Sequence, residues 1–384
     1  MQKTIRLFDL DSYLQAFDAT VLDCHAQEDR FCVVLDRTAF FPEEGGQYSD
    51  RGYIESARVS DVREESGVIY HISDSPVTVG ENVTCKIDFD ERYEKMQCHT
   101  AEHILSGLIH THFGLDNVGF HLGADYVTMD VSGVLERQDL DRIEDLANAV
   151  VFANVAVTSE FPTPDELHTM NYRAKLDLTE NVRIVRIGEF DACACCAPHV
   201  ARSGECGLIK ILDFQKLRGG IRMFITAGRR ALAYFRAMFT AAGEISQLLS
   251  VPKEEIADGV SKLAETLAKE RADFKTYRLS SAKARAAAIE PTSGNLVLYF
   301  ADLEGEELRV LASEAVSAVD GILVVLGGPD GAYKYVIASN STDLRAASRD
   351  INAALGGRGG GSPTMIQGSF TADLDAIKSY FEAK

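Results

Sequence analysis

No stretch of this 384-residue chain stays apolar for anything near the ~20 residues that a membrane-spanning helix requires, which argues against a membrane-embedded protein. The N-terminus lacks the apolar core of a secretory signal, because Asp9 and Asp11 arrive before one can build. A reducing cytoplasm is therefore expected, where the eight cysteines serve as ligands or buried apolar groups more readily than as disulfides. Positive charge is scarce. Lys and Arg number 39 against 58 Asp and Glu, a net charge of −19, which excludes indiscriminate coating of nucleic acid but not a small basic site. At 46% hydrophobic and 25% charged residues, the composition argues against a long disordered tail.

The length itself predicts two or three domains. Residues 19–90 read as short strands, such as 32–36, 67–72 and 82–89, separated by turn clusters. Many short strands without helices predict a small barrel over 1–90. Helical periodicity then begins near Asp90, which can cap the helix, and Met96, Ile104, Leu105, Leu108 and Ile109 supply an apolar face that ends near Gly114. Residues 91–230 mix strands with a helix around 139–152, an α+β domain. Residues 231–290 are helical, with a break at Pro252. After it Ile256, Val260, Leu263, Leu267, Phe274 and Tyr277 fall at heptad-like spacing, a candidate homodimer contact. Residues 291–384 alternate strands and helices as an α/β domain. The run Gly356–Gly361, with Arg358 inside it, reads as a loop rather than the core of a helix or strand. The fold class is thus multidomain α+β.

One segment runs against the overall charge. Residues 202–230 carry seven basic side chains against Glu205 and Asp213, net +5. Lys216, Arg218 and Arg222 within it are candidate contacts for RNA phosphates.

His99 and His103, four residues apart, lie on one face of the predicted helix and can share a metal. Cys195 and His199 repeat that spacing, and Pro198 argues against a helix there. A His/His/Cys/His set suits Zn²⁺. Cys193 and Cys196 are rivals to Cys195 as the sulfur ligand. His110 and His112 read as helix-end residues. The segment His99-Thr100-Ala101-Glu102-His103 also fits the inverted zinc-peptidase pattern, with Glu102 as general base. That reading leaves Cys195 and His199 without a role.

Five segments in register resemble one family. They are Thr38–Gln47 with Asp50-Arg51-Gly52; Arg92-Tyr93, Met96 and the His99–His103 pair; Cys195–His199 continuing through Arg202–Glu205 to Lys210; Gly219–Arg222 with Thr226–Gly228; and the Gly356–Gly361 run with Pro363, Met365 and Gln367-Gly368. Together they resemble the long-form AlaX-type alanyl-tRNA editing proteins, which are similar to the editing and C-terminal parts of alanyl-tRNA synthetase. The resemblance implies a glycine-motif barrel (1–90), a zinc-binding editing domain (91–230), a helical linker (231–290) and a C-terminal domain like that shared with DHH phosphoesterases (291–384). It implies hydrolysis of the aminoacyl ester at the 3′ acceptor end of tRNA for alanine mischarged with serine or glycine. It also implies zinc on His99, His103, Cys195 and His199, contact of Thr38 with the serine hydroxyl, and Gln47 lining the same pocket. The family's C-G-G-T-H is here Cys195-Cys196-Ala197-Pro198-His199, which alters the local backbone more than the metal set. The phosphoesterase catalytic motifs are not present, so the C-terminal domain is expected to bind or dimerise. A non-catalytic RNA-binding protein with a structural zinc is the alternative of a different class.

Overall fold

A computed structural model describes residues 2–123, 126–174 and 182–383. The chain divides into two compact units, residues 1–243 and 244–384, and the boundary cuts through the segment 231–290.

In the first unit six antiparallel strands close into a barrel. The long strand Ala16–Gln27 makes the closure. Its first half pairs with Asn82–Ile87 and its second half with Arg30–Leu35. Strict alternation, exposed then buried along Asn82–Ile87, sends Val83, Cys85 and Ile87 inward. There they meet Val33, Leu35, Phe40, Ile54 and Ile69. The chain leaves the barrel after Arg30–Leu35, pairs Arg37–Thr38 with Ile5–Arg6, and returns to the barrel at Gly52–Ile54. The excursion between them, residues 39–51, carries the Gly45-Gly46-Gln47 turn.

Helix α1 (Phe89–Phe113) follows the barrel, and every residue from Lys95 to Ile109 is buried. Its N-cap is Asp88 rather than Asp90. Asp90 and Glu91 lie in the first turn, where acids favour the positive end of the helix dipole. Gly114 ends the helix at φ 65°. One α1 side chain ties the helix to the barrel excursion. Arg92, fully buried, donates from Nε to both oxygens of Asp50 (3.0 and 2.9 Å) and from Nη2 to Asp50 and to the Ala39 carbonyl (2.6 Å for the latter). Asp50 in turn accepts from the Phe41 amide at 2.7 Å. A four-stranded sheet (117–122, 127–131, 209–217 and 220–227) and helix α2 (Arg137–Ala153) share the main core with α1. Helix α3 (Pro164–Thr169) lies in the chain between the first and second strands of a three-stranded sheet of Val157–Glu160, Ile184–Ile187 and Asp191–Ala194. Helix α4 (Gly228–Leu249) spans the unit boundary.

The second unit contains helix α5 (Ile256–Ala287), a five-stranded mixed sheet, and helices α6 (Gly305–Ala315), α7 (Leu344–Ala354) and α8 (Leu374–Glu382). The glycine run is not a loop. Arg358–Gly361 is the edge strand of this sheet, paired with Met365–Phe370. A Cβ at Gly359 would collide with the Tyr335 hydroxyl and the Gln367 carbonyl, and one at Gly361 with the Met365 carbonyl. Glycine is used there for close approach inside the sheet. Among the described residues no helix is long and apolar enough to cross a membrane.

Candidate metal centre

The i, i+4 spacing places His99 and His103 on one side of α1, with ring centroids 5.4 Å apart. Beyond the strand Asp191–Ala194 the chain runs irregularly through residues 195–200 and brings His199 to 4.9 Å from His99 and 4.7 Å from His103, centroid to centroid. The Cys195 sulfur lies 3.6 Å from Nε2 of His99 and 3.4 Å from Nε2 of His199. One donor atom from each of the four residues lies within 4.8 Å of every other.

Each imidazole is oriented from behind. Nδ1 of His99 donates to Oε1 of Gln47 at 2.8 Å. Nδ1 of His103 donates to Asp191 at 3.0 Å, and Asp191 is itself held by Arg173 at 2.8 and 3.0 Å. Nδ1 of His199 lies 2.9 Å from the Thr100 hydroxyl, which also accepts from the Val200 amide. With all three Nδ1 positions engaged, Nε2 is the free face of each ring, the usual arrangement behind a metal-bound histidine. A tetrahedral zinc with its usual Zn–N and Zn–S lengths sets N and S ligands about 3.6 Å apart, which the two sulfur–nitrogen distances match. The residues present therefore fit a zinc ion.

The electrostatics agree with the ligand forms at Cys195 and His199; at His103 burial is outweighed by Cys193, Asp191 and Cys195, which hold the ring well above its ordinary range. Burial pushes the Cys195 thiol up, but His99, His199 and His103 outweigh it and hold it well below the ordinary thiol range, toward the thiolate that binds metals. Burial lowers His199 to about 3, so its imidazole stays neutral. The rival cysteines are placed elsewhere. Cys193 groups with His103 and Asp191, and burial pushes its thiol up. Burial, the neighbouring Cys195 and Glu44 push Cys196 up. Cys196 lies against Gly45, outside the four-residue set.

The glycine motif explains how Gln47 arrives. Gly46 has φ 82°, and a Cβ there would lie 2.5 Å from the Phe120 carbonyl. Only glycine lets this turn settle on strand 117–122, where the Gly46 carbonyl accepts from Leu122. Gln47 is then fully buried beside His99, and its Nε2 has no hydrogen-bond partner among the described residues. Thr38 is placed differently. Its buried hydroxyl lies 2.9 Å from Nε2 of His71 and accepts from the Phe40 amide. Nδ1 of His71 donates to the Val33 carbonyl, so Nε2 accepts the Thr38 proton. No hydrogen bond joins Thr38 to the metal-binding set among the described residues. Glu102, also buried, is bound through Oε1 by Ser106 and Asn117.

The basic segment is largely neutralised by acids distant in sequence. Lys210 pairs with Glu144, Arg222 with Asp130, Arg229 with Asp90 and Arg230 with Glu94. Exposed Lys216 reaches Glu136 at only 3.6 Å. Arg218, in the hairpin turn, has no ion pair among the described residues. Counting charges along the segment missed these partners. It also gave no sign of the orienting residues Asp191, Thr100 and Arg173, because nothing in their spacing couples them to a histidine.

Residues 13–91 match the family of class II (A) tRNA synthetases, and residues 182–222 match the second additional domain of threonyl and alanyl tRNA synthetases. Over 97% of its length the chain is 27% identical to the alanyl-tRNA editing protein AlaX-L of Pyrococcus horikoshii, 96% of which is covered. It is 30% identical to the alanine–tRNA ligase of Pyrobaculum neutrophilum over 98% of the chain, but spans only 44% of that ligase. A solved C-Ala domain from Aquifex aeolicus alanyl-tRNA synthetase covers 23% of the chain at 22% identity, with a TM-score of 0.20, too low to define a shared fold. The chain thus groups with proteins that carry the alanyl-tRNA synthetase second additional domain. Of these relatives, the AlaX-L editing protein is matched almost end to end, whereas the ligase is matched over less than half its length.

Proposed function

We propose that this protein hydrolyses, in trans, the 3′ aminoacyl ester of tRNA for alanine that carries serine or glycine. The observation that carries the reading is the junction of the glycine-motif excursion with the four-ligand set, made where Gln47 holds His99. His99, His103, Cys195 and His199 would hold zinc, which supplies a Lewis-acidic charge for an oxygen of the substrate's terminal ribose or ester. An aminoacyl ester is already activated, so the residues need only position it, admit water and stabilise the carbonyl oxygen. Gln47 is wholly buried, and what it supplies is the orientation of His99. Thr38 donates to His71 and accepts from the Phe40 amide, so its second lone pair is what could accept from a seryl hydroxyl. Where a site hydrogen-bonds a substrate hydroxyl, an analogue without it is strongly disfavoured.

For the tRNA backbone, Lys216 and Arg218 are the available cations of the basic hairpin, and Arg222 acts through Asp130. Neutralising Lys216 and Arg218 should weaken tRNA binding and flatten its salt dependence. Unchanged binding would count against this surface. The overall reading is tested by deacylation of seryl-, glycyl- and alanyl-tRNA by zinc-loaded protein, with and without chelator. The Glu102→Gln variant should retain ester hydrolysis, because the carboxylate is tied to Ser106 and Asn117. Its loss would favour a general-base role of the peptidase kind.

A further inference from the structure

Arg183 precedes the strand Ile184–Ile187 and is 7% exposed. Its Nη1 donates to the carbonyls of Cys195 (3.2 Å) and Ala197 (2.8 Å), and its own carbonyl accepts from the Cys195 amide at 2.9 Å. The guanidinium is therefore fixed against the segment that presents Cys195. Its Nε is buried with no acceptor, and the side chain forms no ion pair among the described residues. An unmet buried donor costs roughly 1–3 kcal/mol, more when charged, and such a group calls for a partner.

Beside Arg183 lies a cavity of about 150 Å³ whose wall includes His199 of the metal-binding set, together with Ser12, Thr158 and Ser159. Asp11 stands exposed at its rim, with Oδ1 taken by the Tyr13 amide at 2.8 Å. The wall thus offers hydroxyl groups and one cation, fixed by its bonds to the Cys195 and Ala197 carbonyls. Phosphate oxygens are the acceptors a guanidinium holds best.

We propose that this cavity receives the phosphate 5′ to the terminal nucleotide of the acceptor strand, with the Arg183 guanidinium as its cation. The proposal rests on the reading of the substrate as an aminoacyl-tRNA. The scissile ester of such a substrate sits on the terminal ribose, and this phosphate is attached to the same ribose. A subsite that shares His199 with the metal-binding set is placed to take it.

The test titrates adenosine 5′-monophosphate and adenosine into the zinc-loaded full chain by calorimetry. A charge-assisted hydrogen bond predicts that the monophosphate binds about tenfold or more tightly than adenosine. That preference should vanish in Arg183→Met and in Ser159→Glu, which sets a carboxylate in the wall. Arg183 also holds the ligand segment, so bound zinc is measured alongside. Ser159→Glu should keep its zinc and carries the test even if Arg183→Met loses it. Equal affinities in the unaltered protein would overturn the proposal, as would a phosphate preference that survives in Ser159→Glu. No turnover is needed, so absence of deacylation would sink the editing reading while the monophosphate comparison still decides the cavity.

Discussion

Three side chains that are not ligands fix which face of each histidine is free: Gln47 behind His99, Asp191 behind His103 and Thr100 behind His199. Loss of such a partner typically costs 10–100-fold in metal affinity. Asp191→Asn should therefore weaken zinc binding by about that factor in competition with a chromophoric chelator, and an unchanged affinity would show that Asp191 does not orient His103. His71 makes a separate prediction. Burial lowers its pKa from 6.5 to about 4, so between those values the unfolded chain binds more protons than the folded one. Stability should then fall as pH drops from about 6.5 to 4, by up to ~1.4 kcal/mol per pH unit from this group. Urea unfolding at pH 7 and pH 5 should show a shallower loss in His71→Asn than in the unaltered protein; equal losses would refute the assignment. The four ligands were legible in the sequence because two i, i+4 pairs are a pattern. Their supporting residues were not, since Asp191 and Gln47 reach the histidines only after the chain has folded across 88 and 52 positions.

At the scale of elements, α1 is the axis of the first unit, and Arg92 is what joins it to the barrel excursion. Arg92 and Asp50 are both almost wholly buried, and removing one partner of such a pair leaves an uncompensated charge. Arg92→Met should destabilise the protein by about 3–5 kcal/mol in urea unfolding. A change below about 1 kcal/mol would mean that the pair contributes little. The strands were readable both where they alternate strictly, as in 82–87, and where they are apolar nearly throughout, as in 333–339. The glycine run was not, because its residues are fixed by the Tyr335 hydroxyl and by backbone carbonyls of the neighbouring strand, which only the assembled sheet brings near. The net +5 of residues 202–230 misled for the same reason: its counter-charges lie on α1, α2 and strand 127–131.

For the whole molecule, the acidic balance requires any nucleic-acid surface to be local. Helix α5 is largely exposed. Val260, Leu263, Leu267, Phe274 and Tyr277 are 49–67% exposed along one heptad-spaced stripe. We propose that a second copy covers it, since an isolated helix gains its stability from packing an apolar face. Leu263→Glu with Leu267→Glu should convert a dimer to a monomer in sedimentation equilibrium, and a monomeric unaltered protein would dismiss the contact. The central claim is that the four-ligand set and the glycine-motif excursion form one editing site. Its most direct test is single-turnover deacylation by the zinc-loaded full chain. The account predicts that seryl-tRNA for alanine is hydrolysed faster than correctly charged alanyl-tRNA, and that chelation or Cys195→Ser removes the activity. Folded, zinc-loaded protein that leaves seryl-tRNA intact would contradict it.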